Sequence, residues 1–408
     1  MDCKQRGYPK QAVVLAGGRG LRLRPLTDKV PKPMISFHGR PFLEYLLGLL
    51  RGEGFERVLI LLGYMAEAVQ KHFGDGGRFG LEVAYSVSPE EDETGSRILR
   101  AASRLDPRFL LLYCDNYWPM RMGEMWSRFL ETRVPAMLTV YGNRDGYTKN
   151  NVRVDDDGYI AGYDKSRTGP GLNGVEIGYG ILSREVLDIL PSGNVSFEAT
   201  VYPELARRRQ LRAFLTNHRY YSIGSIERLP FTEAFLSFPR TVVLDRDGVL
   251  NQKPPKAQYV RTWEDFEWLP GTVDAVRLLK NAGYKVIVVT NQAGVARGVM
   301  TEADVQSIHD RMQAELRAAG ATVDAFYYCP HGWDDGCFCR KPKPGMLFQA
   351  QRDHHLDLTK TIFIGDDERD LEAGQAAGCR TFLVSSEFSL LDCVRKHIPL
   401  ERRGVESC

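Results

Sequence analysis

The 408-residue sequence has no run of apolar residues approaching the roughly 18 that a membrane span requires, and no low-complexity tract or repeat of 20–50 residues. A membrane-embedded chain and a solenoid are thereby excluded. Charge of one sign is also lacking. Lys and Arg number 54 against 52 Asp and Glu, a formal net charge of +2, so no global field attracts nucleic acid or an anionic membrane. The first apolar stretch, at 12–16, is short and broken at once by Gly17 and Gly18, unlike a secretory leader. The expectation is a cytoplasmic protein whose thiols stay reduced. Its eight cysteines are then free thiols or metal ligands. Cys3, Cys114, Cys379, Cys393 and Cys408 are scattered, whereas Cys329, Cys337 and Cys339 fall within eleven residues, a clustering that points to metal.

What is present is an ordinary globular composition, 43% hydrophobic and 26% charged, with a recurrent pattern. Short apolar runs at 11–17, 57–63, 108–114, 241–245, 285–290 and 361–365 alternate with helical periodicities. The pattern predicts α/β architecture with mainly parallel sheets. Two of these runs open into polar loops rich in phosphate-binding residue types, so two α/β units are expected: 1–236, a connector at 237–240 containing Pro239, and 241–408. Asp155-Asp156-Asp157-Gly158 lacks the spacing of a calcium loop and reads as a hairpin turn.

After the first strand come Gly17, Gly18, Gly20, Arg22 and then Lys32 in Pro-Lys-Pro-Met. Glycines let backbone N–H groups approach phosphates, and two cations offset their charge. The run GGRGLRLRPLTDKVPKPM resembles the signature of sugar-1-phosphate nucleotidylyltransferases, and the likeness extends over roughly 10–236. It implies in-line attack of a sugar phosphate on the α-phosphorus of a nucleoside triphosphate, with Arg22 and Lys32 stabilising the crowded phosphate and Asp115 holding Mg²⁺. The segment 39–75 resembles the heptose 1-phosphate branch, making GTP the first expectation and ATP or CTP the alternatives. Thr94 and Gly95 fall in the base-recognition loop, where Arg97 departs from that branch. Lys165, Glu176 and Gly178 match sugar-phosphate and sugar-contacting positions. In RYYSIGSIERL, Ser222 stands where the family has Asp, so the resemblance also accommodates a unit that binds nucleotide-sugar without turnover.

The strand at 241–245 delivers Asp245 and Asp247, the one at 285–290 delivers Thr290, Asn291 and Gln292, and the one at 361–365 delivers Asp366 and Asp370. Polar groups at three strand ends mark the ligand edge of an open α/β sheet. Two carboxylates so spaced suit a nucleophile and a proton carrier. This pattern, with Lys341, resembles the haloacid-dehalogenase phosphatase superfamily over about 241–390. The resemblance implies that Asp245 attacks phosphorus and that Asp247 handles the proton. Thr290 and Lys341 would grip the phosphoryl group, and Asp245, Asp247 (through its carbonyl) and Asp366 would hold Mg²⁺, with Asp370 orienting.

Cys329, His331, Cys337 and Cys339 form two short ligand pairs suited to a closed, structural Zn²⁺ site. Zinc loops of this kind occur in phosphatases of histidinol phosphate and of heptose 1,7-bisphosphate. Asn251 in DRDGVLN, and Asn291 and Arg297 in TNQAGVARG, resemble the second group, with Arg340 meeting the sugar's other phosphate. The implied protein is a bifunctional enzyme of nucleotide-activated heptose synthesis. Its partners would be a sugar phosphate and a nucleoside triphosphate, with neither nucleic acid nor membrane involved. A phosphatase with a merely binding first unit, or a histidinol phosphatase, are the alternatives.

Overall fold

The computed structural model describes residues 8–401. Cys3 and Cys408 lie outside the described residues. The chain divides into two compact units, the first ending at Leu236 and the second beginning at Ser237.

The first unit is built on seven strands: β1 (Gln11–Leu15), β2 (Arg57–Leu62), β3 (Glu82–Val87), β4 (Arg108–Tyr113), β5 (Ala136–Tyr141), β6 (Val175–Ser183) and β7 (Leu211–Thr216). Their order across the sheet is β7-β5-β6-β4-β1-β2-β3. All neighbours are parallel except β6, which runs antiparallel to both β4 and β5. Every residue of β1 is buried, as a central strand covered on both faces demands. Helix Phe42–Gly52 covers part of the sheet with Phe42, Leu43, Leu46, Leu47 and Leu50, the spacing of one helical face. Past β1 the chain makes three short 3₁₀ turns, at Leu21–Leu23, Leu26–Asp28 and Lys32–Met34. Gly20 has φ +64°, where an added Cβ would also come within 3.0 Å of the Thr27 methyl. The 155–158 run is a hairpin turn joining antiparallel Val152–Val154 and Ile160–Tyr163, closed by the Gly158 N–H on the Asp155 carbonyl at 2.9 Å.

The second unit is a five-stranded, fully parallel sheet: β8 (Thr241–Leu244), β9 (Lys285–Asn291), β10 (Ala325–Cys329), β11 (Ile362–Gly365) and β12 (Arg380–Leu383), in the order β10-β9-β8-β11-β12. Alternate residues feed opposite faces. Val242, Leu244, Val286, Val288 and Ile364 join one core with Val276, Ile308, Met312 and Val394. Val243, Ile287, Val289 and Phe363 join the other with Leu347 and Ala373. Burial on both faces explains why these strands read as unbroken apolar runs, each side chain contributing roughly 1.5–3 kcal/mol. Residues 237–240 are not a free connector, since Arg240 donates to the Glu401 carbonyl at 2.8 Å and lies over the Tyr284 ring. Among the described residues, no helix is long and apolar enough to cross a membrane.

Because β8 lies between β9 and β11, the C-terminal ends carrying Asp245, Thr290 and Asp366 converge. Below that edge Gly345 opens helix Gly345–His354 against the cysteine-rich loop. A Cβ there would stand 2.3 Å from the Phe338 carbonyl oxygen and 2.8 Å from Cys339 Cα, backbone that cannot swing aside. Gly345→Ala is expected to displace the 337–339 loop and destabilise the unit by about 1–3 kcal/mol, measured as a lowered thermal midpoint.

Candidate active sites

In the second unit, burial concentrates charge at the C-terminal edge of the sheet. Lys341, 4% exposed, places Nζ 2.7 Å from Asp245 Oδ1 and 2.7 Å from Asp370 Oδ1. Burial alone would lower its proton affinity, but the two carboxylates outweigh that and hold it an ammonium. Asp245 is pushed up to about 7 by burial, with Lys341 opposing and Asp370 and Asp247 reinforcing. Asp370 uses its other oxygen to accept the N–H groups of Asp366 (3.1 Å) and Asp367 (3.2 Å) in a helix capping box. A single carboxylate thus starts a helix and fixes the lysine.

Asp247 is clamped by Arg246, whose Nε and Nη2 each donate at 3.0 Å, by Asn251 Nδ2 at 3.0 Å and by Gln292 Nε2 at 2.9 Å. Burial would raise its carboxyl, but these donors keep it below its ordinary value. Gln292 also donates to Thr290 Oγ1 at 2.9 Å. Asn291 and Lys341 bond reciprocally, side chain to backbone, at 3.0 and 3.1 Å. The expected residues Asp245, Asp247, Thr290, Asn291, Arg340, Lys341 and Asp366 line one cleft of about 550 Å³. Two expected substrate contacts stand elsewhere. Asn251 is buried and turned onto Asp247, and Arg297, not itself on the lining, stacks at 4.9 Å on Trp333, which is. Arg246 and Gln292 were not singled out as site residues, although both sit inside the motifs.

Donor groups for metal occur here twice. Ligand atoms of Asp245, Asp366 and Asp370 lie within 4.8 Å of one another, and Asp366 Oδ1 is buried with no hydrogen-bond partner. An orphaned carboxylate oxygen beside a second carboxylate fits a hard divalent cation. Cys329, His331, Cys337 and Cys339 bring their sulfur and Nδ1 atoms to mutual distances of 3.2–3.7 Å. Those five distances match edges of a tetrahedron with metal–ligand bonds of about 2.0–2.3 Å, so the cluster could hold zinc. The loop's continuation is Arg340-Lys341.

In the first unit, Gly17, Gly18, Gly20, Arg22, Lys32, Thr94 and Asp115 line a cleft of about 560 Å³. Lys32 Nζ is 2.5 Å from Asp115 Oδ2. Burial would raise the Asp115 carboxyl, but Lys32 and then Arg22 hold it below its ordinary value. Ser222 sits opposite Asn116 in a two-residue ladder, and the next residue's N–H donates to the Asp115 carbonyl at 2.9 Å. The Ser222 hydroxyl accepts the Gly224 N–H at 3.0 Å. Among the described residues no group of three or more metal-ligating side chains forms around Asp115.

Arg97 is buried beneath the glycine loop, donating to the Leu62 carbonyl (2.9 Å), Ser88 Oγ (2.6 Å) and the Glu90 carbonyl (3.0 Å). A Cβ on Gly17 or Gly63 would come within 2.5 or 2.3 Å of its guanidinium. Gly95 packs on the Val195 carbonyl and does not line the cleft. Lys165 and Glu176 also lie off the lining. Lys165 bonds Ser196 Oγ at 2.8 Å and is 3.6 Å from Glu198. Glu176 is buried and accepts the Gly178 N–H, where φ is +84° and a Cβ would strike the Tyr113 ring at 2.2 Å. Glu198, which the sequence did not bring to notice, accepts Thr94 Oγ1 at 2.8 Å and Ser196 Oγ at 2.6 Å.

Comparison with known proteins places these sites in families. The nucleotidyl transferase family model matches residues 11–150, and a HAD-hydrolase-like model matches 338–399. The D-glycero-beta-D-manno-heptose-1,7-bisphosphate 7-phosphatase of Bordetella bronchiseptica is 42% identical over 147 residues, 36% of this chain and 81% of the relative. The chain belongs to the heptose-1,7-bisphosphate 7-phosphatase family. A second member, from Photorhabdus laumondii, is named for the alpha anomer and is 36% identical over 156 residues, 36% of this chain and 83% of the relative. The family portion is the second unit. For the first unit, a Bacillus anthracis structure assigned as a glucose-1-phosphate thymidylyltransferase shares the fold, with TM-score 0.50 and 18% identity over 55% of this chain and 94% of that one.

Burial pushes the Glu176 carboxyl up to about 8, with the Gly178 N–H opposing and Glu198 reinforcing. Since 8 lies above the ordinary value of 4.5, the folded state holds this proton more tightly than the unfolded chain. The stability it contributes is complete below about pH 4.5 and lost as pH rises through about 8. Glu176→Gln keeps an acceptor for Gly178, so thermal unfolding from pH 5 to 8.5 should show a flatter slope for the variant, the difference amounting to a few kcal/mol, on the order of 1.4 per pKa unit.

Proposed function

We propose that the second unit hydrolyses the 7-phosphate of D-glycero-D-manno-heptose 1,7-bisphosphate, and that the first unit couples the resulting heptose 1-phosphate to a nucleoside triphosphate, GTP first, releasing pyrophosphate. The observation that carries the reading is the buried Asp245–Lys341–Asp370 array with Asp247 and Asp366 at one sheet edge, in a unit 42% identical to such a phosphatase.

In the phosphatase step an Asp245 oxygen bonds to phosphorus as the bond to the sugar's O7 breaks. Asp247 gives its proton to the leaving oxygen. Water then attacks the aspartyl phosphate, its proton passes to Asp247, and inorganic phosphate leaves with Asp245 restored. Asp247 rests ionised, and the arriving phosphoryl dianion raises its affinity for the proton it must carry. Lys341 and Thr290 hold the phosphoryl oxygens, while Arg246, Asn251 and Gln292 hold Asp247 in line. Mg²⁺ on Asp245, the Asp247 carbonyl and Asp366 would offset charge on the transferring group. Zinc on the four-ligand loop would fix Arg340, which meets the sugar's other phosphate, and Lys341 without entering the chemistry.

In the transferase step Gly17, Gly18 and Gly20 admit the triphosphate, and Arg22 and Lys32 bear on its α- and β-phosphates. Attack by the sugar phosphate forms the new P–O bond as pyrophosphate departs. One carboxylate, Asp115, suffices if Mg²⁺ arrives with phosphate oxygens as its other ligands. Ser222 in place of a carboxylate favours a second reading, in which this unit binds nucleotide-sugar without turnover. The supply of a 1-phosphate by the one unit and its consumption by the other supports the first.

Purified protein incubated with the bisphosphate, Mg²⁺ and GTP, ATP, CTP or UTP singly, with products resolved by mass spectrometry, should yield phosphate, pyrophosphate and one nucleotide-heptose. Asp245→Asn should lower phosphate release by roughly 10³-fold or more, and Arg22→Ala should suppress pyrophosphate alone. Phosphate without pyrophosphate, even when either anomer of heptose 1-phosphate is supplied, selects the binding-only reading. Zinc should measure one per chain, and Cys337→Ser should lose it along with most phosphatase activity.

A further inference from the structure

Beyond Asn251 the chain leaves the sheet and returns to the core at Val260, the stretch between forming one wall of the phosphatase cleft. It is pinned at its start by the Gln252 N–H on the Glu267 carbonyl at 2.8 Å, and contains Pro254, Pro255 and Ala257, the last at φ +66°. Its remaining polar tie to the site is Lys253. Nζ lies 2.7 Å from Asp366 Oδ2 and 3.1 Å from Asp367 Oδ2. Asp367 is also gripped by Arg369, at 2.8 and 2.9 Å. Five carboxylates, of Asp245, Asp247, Asp366, Asp367 and Asp370, thus meet four cationic side chains, of Arg246, Lys253, Lys341 and Arg369. All four cations bond at least one carboxylate outside the Asp245–Asp366 metal pair. Lys253 alone bonds the Asp366 carboxylate, whose other oxygen has no partner.

We propose that Lys253 is a positioning residue that stands in as counter-cation on Asp366 until a divalent cation binds, and is then held by Asp367 alone, keeping the 253–260 wall over the cleft. The inference rests on the reading of Asp366 as a metal ligand. An ammonium and a divalent cation cannot both sit on one carboxylate without repelling each other, so Lys253 weakens metal binding to the substrate-free protein. In return, it compensates Asp366 while the metal is absent. Because Asp367 lies within reach, the side chain has a second anchor that the metal does not contest, and the wall stays tethered when the first is given up.

The test measures Mg²⁺ binding to the full-length, zinc-loaded protein without substrate by calorimetry, for wild type, Lys253→Met, Asp367→Asn and Asp366→Asn. Lys253→Met should tighten Mg²⁺ binding about three- to tenfold. Asp367→Asn, which leaves Lys253 only Asp366, should weaken it. Hydrogen exchange over 253–260 in saturating Mg²⁺ should speed up in both variants and be restored by Lys253→Arg. If Asp366→Asn binds Mg²⁺ as wild type does, the metal-ligand reading itself fails. If Asp366→Asn abolishes binding while Lys253→Met leaves affinity unchanged or weaker, the reading stands and the proposal is overturned. Unchanged exchange over 253–260 in Lys253→Met would overturn the tethering half. Lys253 is half-exposed, so its replacement should leave the unit folded, with the thermal midpoint as the check.

Discussion

A lysine ammonium buried between two carboxylates is the constraint around which the phosphatase unit is organised. Taking Lys341, Asp245 and Asp370 out of water is costly, and their mutual attraction at 2.7 Å offsets it together with backbone hydrogen bonds to each. Deleting one member would leave the others uncompensated, a loss of about 3–5 kcal/mol, so each must be delivered in register. Asp245 follows a strand whose residues are buried on both faces. Asp370 caps the helix that follows β11. Lys341 comes from the end of the cysteine-rich loop, with Asn291 bonded to its backbone on both sides. The three elements are far apart in sequence and meet because β8 is central in the sheet.

The first unit meets the same problem with a different solution. Lys32 neutralises Asp115 across a short contact, in a cleft otherwise lined by Arg22 and the glycine-rich backbone. Arg97 shows how tightly that backbone is fitted, since its guanidinium occupies the space that side chains at Gly17 and Gly63 would need. Its donors are spent on the Leu62 and Glu90 carbonyls and the Ser88 hydroxyl, so it joins the end of β2 to the 88–90 segment. Behind Tyr113, two carboxyls are driven apart in proton affinity. Glu176 is raised by burial, while Glu198, also buried, is brought below its ordinary value by Ser196 and Lys165. Neighbouring carboxyls so separated can play different parts toward a sugar.

Much of this was legible in the sequence. Asp245, Asp247, Thr290 and Asp366 were marked by their places at strand ends, Lys341 by the family resemblance, and the Cys329, His331, Cys337 and Cys339 cluster by its spacing. Such signals are local: a strand end, a turn, a pair of ligands two residues apart. Arg246 and Gln292 were hidden in plain motifs because nothing in a sequence says which neighbour of an aspartate turns back to bond it. Asn251 was expected to face substrate, yet it is buried and bonds Asp247, a choice made by the packing of the turn after β8. Glu198 had no signal, being one acidic residue at a helix start, until Thr94 and Lys165 were brought to it across more than thirty residues of chain.

The sequence by itself determined the two α/β units, the strands, the glycine loop and the chemical types gathered at each cleft, because periodicity and short-range spacing follow from backbone geometry alone. Only the tertiary structure decided which carboxylate is paired, which is orphaned and which proton is held tightly, since those properties depend on burial and on charges contributed by distant segments. Asp366 and Asp367 are adjacent in the chain and chemically identical. Asp366 gives one oxygen to Lys253 and keeps the other buried and unpartnered, whereas Asp367 is bound by Arg369 as well as Lys253, and the difference is made by side chains that the fold brings from elsewhere in the chain.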